Sequence, residues 1–167
     1  MGAEKLVQKD FLKSSFAKFL FPENIRLDVH VSNKAEVFSL IAATFEREHQ
    51  LNSAQICQGL MAREKLESTA LGCGVALPHA QIAGLSAPMM GFVRVRSPID
   101  FDAPDGQPVS AMLVLLVPAK GSQEYLQILA EIADALCDER FRDDLHAASD
   151  QYAAWELFVR WRPAYAH

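Results

Sequence analysis

Apolar and polar positions change period several times along the chain, and each change marks an element. From about Asp10 to Leu20, Leu12, Phe16, Phe19 and Leu20 recur at helical spacing, which predicts a short amphipathic helix packed on the body and ended by Pro22. Ile25 to Val31 then alternates as IRLDVHV, a strand with Arg26, Asp28 and His30 on its wet face, so His30 reads as a solvent-facing residue and not a ligand. Asn33 followed by Glu36 opens a helix in the manner of a capping box. Val37, Leu40, Ile41, Thr44 and Phe45 give it the stripe of a helix lying on a sheet. Ser53 is the expected N-cap of the next helix, with Ile56 and Leu60 inward and an end near Leu66, which puts Arg63 in its last turn.

Val75, Ala76 and Leu77 suit a buried strand that Pro78 closes, because proline lacks the N–H a ladder needs. Pro88 to Val95 is a further strand, SPIDFDAPDGQPV a turn-rich connection with Asp105-Gly106 as its corner. Val109 to Val117 is too continuously apolar for a half-exposed strand and reads as a central one covered on both faces. Gly121 and Ser122 open a long helix expected to turn Leu126, Leu129, Ala130, Ala133 and Leu136 inward and Glu131 and Asp134 outward. Helices from about Glu139 to Ala147 and Asp150 to Phe158 follow, with Trp155, Leu157, Phe158 and Trp161 as packing residues and RWRPAYAH as a frayed tail. Strands separated by helical stretches predict an α/β fold, a sheet of four or five strands with helices on both faces.

A chain of 167 residues with half its residues apolar is most simply one domain. A net charge of −5 argues against a nucleic-acid binder, which needs a basic face. Cys57, Cys73 and Cys137 are odd in number and widely spaced, so no disulfide framework or zinc site is implied and a reducing, cytoplasmic setting fits. The longest apolar run, Ala111 to Pro118, is far short of the roughly 20 residues of a membrane helix. The amino-terminal residues lack the apolar core of a secretory signal.

The stretch from Arg63 to His79, REKLESTALGCGVALPH, holds the candidate chemistry. Its histidine follows a strand-ending proline and is expected to start a loop at the strand's carboxyl end, where open α/β sheets place their ligands. Arg63, Glu64, Ser68, Thr69, Gly72, Gly74, Val75, Ala76, Leu77, Pro78 and His79 stand at fixed spacing, and that pattern resembles the active-centre segment of the bacterial phosphotransferase-system (PTS) IIA domains of the fructose, mannitol and nitrogen-regulatory type. The likeness extends from about Phe19 to Phe158. It implies a three-layer sandwich around a mixed sheet over residues 21–160, with residues 1–20 as an extension and 161–167 as a tail.

The resemblance also implies a phosphohistidine-carrying phosphotransferase component, with His79 as acceptor of a phosphoryl group from an HPr-type phosphocarrier protein. Neutral imidazole is a competent nucleophile near pH 7, and which nitrogen reacts depends on the hydrogen bond the other makes. Arg63 is the charge partner expected for phosphate oxygens, the alternative being an ordinary surface arginine at a helix end. Ser68 and Thr69 either donate hydroxyl hydrogen bonds to the group or serve the turn. Gly72 and Gly74 allow the turn itself, and Cys73 between them has no partner that marks a nucleophile. Where many family members carry a second histidine, this chain has Tyr125, which can offer a hydrogen bond but no positive charge. No cofactor and no metal are expected.

Three functions follow in order: a stand-alone, nitrogen-regulatory IIA-like protein that acts on a regulatory partner according to its phosphorylation state; a non-catalytic binding regulator with degenerate transfer; or the IIA component of a fructose or mannitol transporter, which needs a matching IIB acceptor.

Overall fold

The computed structural model of the chain describes residues 14–120 and 122–163, with the backbone alone at 122. Its strands are β1 (Leu20–Val29), β2 (Ala70–Gly72), β3 (Val75–Ala76), β4 (His79–Ile82), β5 (Met89–Ile99) and β6 (Val109–Pro118). Its helices are α1 (Lys34–His49), α2 (Ser53–Leu66), α3 (Ser122–Leu136), α4 (Glu139–Ala147) and α5 (Gln151–Arg160). The six strands form one mixed sheet in the order β1-β5-β6-β3-β2, with β4 also paired to β6. β1 runs parallel to β5, β5 antiparallel to β6, and both β3 and β4 parallel to β6.

β6 is the axis, as its unbroken apolar sequence predicted. Alternate side chains serve two separate cores. Leu113, Leu115 and Val117 meet Phe92, Phe141, Phe158 and Ile132 on the side of α3, α4 and α5, whereas Met112, Val114 and Leu116 meet Val37, Ile41, Phe45, Ile56 and Leu60 on the side of α1 and α2. Each fully buried leucine of this strand contributes about 2 kcal/mol of transfer free energy. Arg94, buried beneath α4, donates to the carbonyls of Leu145, His146 and Ala148, closing that helix's carboxyl end, and pairs with Asp28.

Several expected boundaries shift for identifiable reasons. The helix expected up to Leu20 falls partly outside the described residues; within them the segment is a short 3-10 turn, Ala17–Phe19, and Leu20 already begins β1. Pro22 sits inside β1, not after a helix. Phe16 and Leu20 are nevertheless buried in the core, as their apolar spacing suggested. Asn33 caps α1 as expected, its side chain accepting from Glu36 N–H, and Glu36 returns a bond to Ser32 N–H. The second cap is Asn52, not Ser53, because the Asn52 side chain is the one that takes Gln55 N–H. β5 runs on to Ile99, shortening the connection, and the corner closes with Gly106 N–H on Ala103 O at a positive φ.

The buried face of α3 is the expected one in part: Leu136 is buried and Leu129 and Ala133 pack on the core, Ile132 and Ala135 are buried beside them, and Leu126, 64% exposed, and Ala130 face out. A run of alanines and leucines permits several stripes, and packing chose the one led by isoleucines. Trp161 is buried against Phe16 and Phe141, a packing residue as expected although it lies in the stretch read as a frayed tail.

Candidate functional site

Residues Gly72 to Val75 make the tight turn between β2 and β3, with Cys73 and Gly74 at φ of 56° and 78°. Positive φ at both central residues is the two-residue hairpin that matches strand twist. The Cys73 N–H is held by the Asp105 carboxylate, which also takes Gln107 N–H. These bonds hold the Asp105 carboxyl below its usual range. The Cys73 position is thus accounted for by the turn.

Beyond Ala76 the chain does not leave the sheet. Pro78 interrupts the ladder because it has no N–H to give, yet its carbonyl accepts from Leu115 N–H at 2.9 Å, so the register with β6 survives from Ala76↔Met112 to His79↔Leu115. His79 therefore opens β4 and does not start a loop. β2 pairs with β3 alone, so His79 stands where the sheet edge becomes free. Ala80 and Ile82 pack toward α1 and α2, and strand alternation turns His79 to the other face.

The His79 ring is half-buried and fixed at both nitrogens. Nδ1 lies 2.9 Å from Leu77 O, and a carbonyl only accepts, so Nδ1 bears the hydrogen. Nε2 lies 3.3 Å from Arg63 Nε, a group that only donates, so Nε2 presents its lone pair. Arg63 is anchored at its other end by Nη1 on Glu67 O at 2.7 Å. Burial pushes the His79 pKa below its ordinary 6.5; the Leu77 bond opposes this, the Arg63 charge reinforces it, and Glu64 opposes it. The ring is held neutral, with an available lone pair.

A cavity of about 280 Å³ opens in front of this pair, lined by Arg63, Ser68, Thr69, Leu71, Leu77, His79 and the Leu129, Ala130 and Ala133 side of α3. No carboxylate lines it among the described residues. Ser68 and Thr69 border it, but their hydroxyl hydrogens are committed elsewhere: Ser68 donates to Phe101 O and Thr69 to Glu64. Of the two roles the sequence allowed them, bracing the turn is the one they occupy. Tyr125 is not among the side chains that line this cavity. It lines a separate, larger groove with Lys18, Phe19, Ala87, Pro88 and Glu131, one helical turn before Leu129. Sequence analysis placed it at the site because it stands where many members of the resembled family carry a second histidine.

Glu64, quoted in the motif but given no role there, is buried. It accepts from Thr69 N–H, Thr69 Oγ1 and Lys34 Nζ. Lys34 also bonds Asp102 and lies over the Phe101 ring. Burial works against the Lys34 charge, but Glu64 and Asp102 outweigh it and hold its pKa above the ordinary value. The sequence signal was available: a motif carboxylate at the end of an amphipathic helix, a position that is usually wet.

Together the mixed sheet covered on both faces and the edge imidazole faced by a guanidinium define a three-layer α/β domain with a histidine–arginine pair at its free sheet edge. The sequence model of the family described as "Phosphoenolpyruvate-dependent sugar phosphotransferase system, EIIA 2" matches residues 18–160, and the chain belongs to that family. It is 36% identical over 143 residues to a nitrogen regulatory protein of Pseudomonas aeruginosa, covering 85% of this chain and 93% of that one. The crystal structure of nitrogen regulatory protein IIA-Ntr from Neisseria meningitidis superposes with a TM-score of 0.82 at 37% identity, covering 87% of this chain and 99% of that one. The fold alone is shared with Escherichia coli enzyme IIA mannitol in its complex with phosphorylated enzyme IIB, at a TM-score of 0.67 and 19% identity, covering 81% and 94%. Among the described residues no helix is long and apolar enough to cross a membrane.

Proposed function

We propose that this chain is a nitrogen-regulatory IIA-like protein of the cytoplasm that takes a phosphoryl group onto Nε2 of His79 from an HPr-type phosphocarrier and acts on a regulatory protein partner according to that state. The observation that supports it most is the fixed tautomer: Nδ1–H on Leu77 O leaves Nε2 as the nucleophile, and Arg63 stands at that atom. As the donor approaches, the Arg63 guanidinium exchanges Nε2 for phosphoryl oxygens, which it matches in charge and geometry. The N–P bond of the donor phosphohistidine breaks, its electron pair stays on the donor nitrogen, and a new bond forms from Nε2 to phosphorus. Nδ1 keeps its hydrogen throughout, donating it to Leu77 O.

Positioning and charge do most of the work in such a transfer. The apolar side of the cavity, Leu71, Leu129 and Ala133, offers no base to activate water, which suits a carrier whose group must be passed on intact. Leu66 and Leu126, 83% and 64% exposed on the two helices that flank the cavity, give a partner protein apolar surface on which to seat.

The test is incubation with phosphoenolpyruvate, enzyme I and the phosphocarrier, followed by intact mass. The account expects one added phosphoryl group, absent in His79→Ala. A wild-type chain that stays unmodified under saturating donor would support the non-catalytic regulator instead.

A further inference from the structure

Glu64 is 6% exposed and Thr69 5%. Burying a carboxylate is costly unless it is paired and hydrogen-bonded, and an apolar side chain fills space more cheaply. Glu64 nevertheless spends both oxygens. Oε1 takes Lys34 Nζ at 2.9 Å and Thr69 N–H at 3.2 Å, and Oε2 takes the Thr69 hydroxyl at 2.5 Å.

What this bracing holds is visible one bond further on. Thr69 O accepts Leu77 N–H at 2.9 Å, across the mouth of the β2–β3 hairpin, and Leu77 O accepts His79 Nδ1–H at 2.9 Å. A continuous line of hydrogen bonds therefore runs from the Lys34 ammonium through Glu64, Thr69 and the Leu77 peptide to the ring. Ser68 pins the same segment from the other side through Phe101 O and Ala70 N–H.

We propose that Glu64 is a positioning residue for the phosphoryl acceptor, acting through Thr69 and the Leu77 carbonyl to keep His79 in the one tautomer that leaves Nε2 unprotonated. The proposal rests on the function given above and extends it to a residue that touches neither ring nor phosphoryl group. If Thr69 is released, the Leu77 peptide loses its tether, Nδ1 loses a fixed acceptor, and the ring exchanges between tautomers. The tautomer with hydrogen on Nε2 cannot attack phosphorus through Nε2, the nitrogen that faces Arg63 and the cavity. Misplacement of a reacting group by about 1 Å costs roughly a hundredfold in rate, so a partial loss of tautomer control is expected to slow acceptance about tenfold or more.

The test reads imidazole nitrogen NMR on the unphosphorylated, isotope-labelled full chain, beside the rate of phosphoryl acceptance. Glu64→Gln alters a charge near the ring as well as the brace, so Thr69→Val, which changes no charge, is the deciding variant, and Thr69→Ser restores the hydroxyl. Wild type and Thr69→Ser are expected to give one dominant tautomer with hydrogen on Nδ1. Thr69→Val and Glu64→Gln are expected to give mixed tautomers and at least the tenfold loss of rate, with the fold retained by circular dichroism. If Glu64→Gln does not fold, Thr69→Val decides alone. A folded Thr69→Val with the wild-type tautomer signature overturns the proposal whatever its rate. Because the signature is read before any transfer, a wild-type chain that never accepts phosphoryl overturns the functional reading and leaves this measurement standing.

Discussion

His79 and His146 are wired alike and differ in what surrounds them. In both, Nδ1 donates to a backbone carbonyl, Leu77 O at 2.9 Å and Arg142 O at 2.7 Å, which leaves Nε2 as an acceptor. In His79 the donor to Nε2 is the Arg63 guanidinium; in His146 it is the Ser110 hydroxyl, at 2.7 Å. His146 lies exposed at the end of α4, and the Ser110 backbone N–H donates to Gly74 O at 2.9 Å, so that pair ties α4 to the hairpin. His79 is half-buried before a cavity with a cation at its mouth. The proposed carrier role calls for a fixed tautomer and for a nearby charge that can be handed over to phosphoryl oxygens; of these two histidines, His79 has both.

The largest effect that can break this comparison is removal of each ring. His79→Ala is expected to abolish phosphorylation in the intact-mass assay, while His146→Ala keeps the rate within about twofold and loses only the surface bond, a small stability change by thermal melting. If His146→Ala removed the modification, the distinction would fail.

Next in size is the cation. Arg63→Gln is expected to slow acceptance about tenfold to a hundredfold, the kinetic equivalent of a charge-assisted hydrogen bond of about 1.5–3 kcal/mol. Arg63→Lys keeps the charge without the planar fork and recovers only part. An Arg63→Gln chain that accepts phosphoryl at the wild-type rate would reduce Arg63 to a helix-end residue.

The ring's titration sharpens the same point. His79 is expected to titrate below 6.5 in an NMR pH series, and Arg63→Gln to move it upward, since the guanidinium is one of the causes of the depression. Because the folded-state value lies below the unfolded one, the unfolded chain binds that proton more readily. The stability owed to the neutral ring is therefore intact above about pH 6.5 and is lost as pH falls from there toward the folded value. Smallest of all is Tyr125→Phe, expected to change acceptance less than twofold because Tyr125 lines the other groove.

Much of this fold was legible because its signals are local. The apolar run of β6, the Asn33 cap and the α4 and α5 boundaries needed only neighbours in sequence. The failures are the features that tertiary packing decides. Pro78 correctly announced a break in the ladder, but the paired register on β6 resumes one residue later, so His79 became a strand residue at an edge. The full buried face of α3, which includes Ile132 and Ala135 and leaves Leu126 exposed, depended on which of several apolar stripes met the sheet. At the site itself the Arg63–His79 pairing was expected from Arg63's place in the last turn of its helix together with the family resemblance, whereas the bonds of Glu64 became visible only once Lys34 and Thr69 were placed around it.

The central claim is most directly tested by asking where the phosphoryl group is bonded. Phosphorus and nitrogen NMR on labelled protein, after transfer from the phosphocarrier, reads the N–P bond at the level of the ring atom. The account predicts a single phosphoryl group on Nε2 of His79, with Nδ1 still carrying hydrogen. A group on Nδ1, or on any other histidine of the chain, would contradict it.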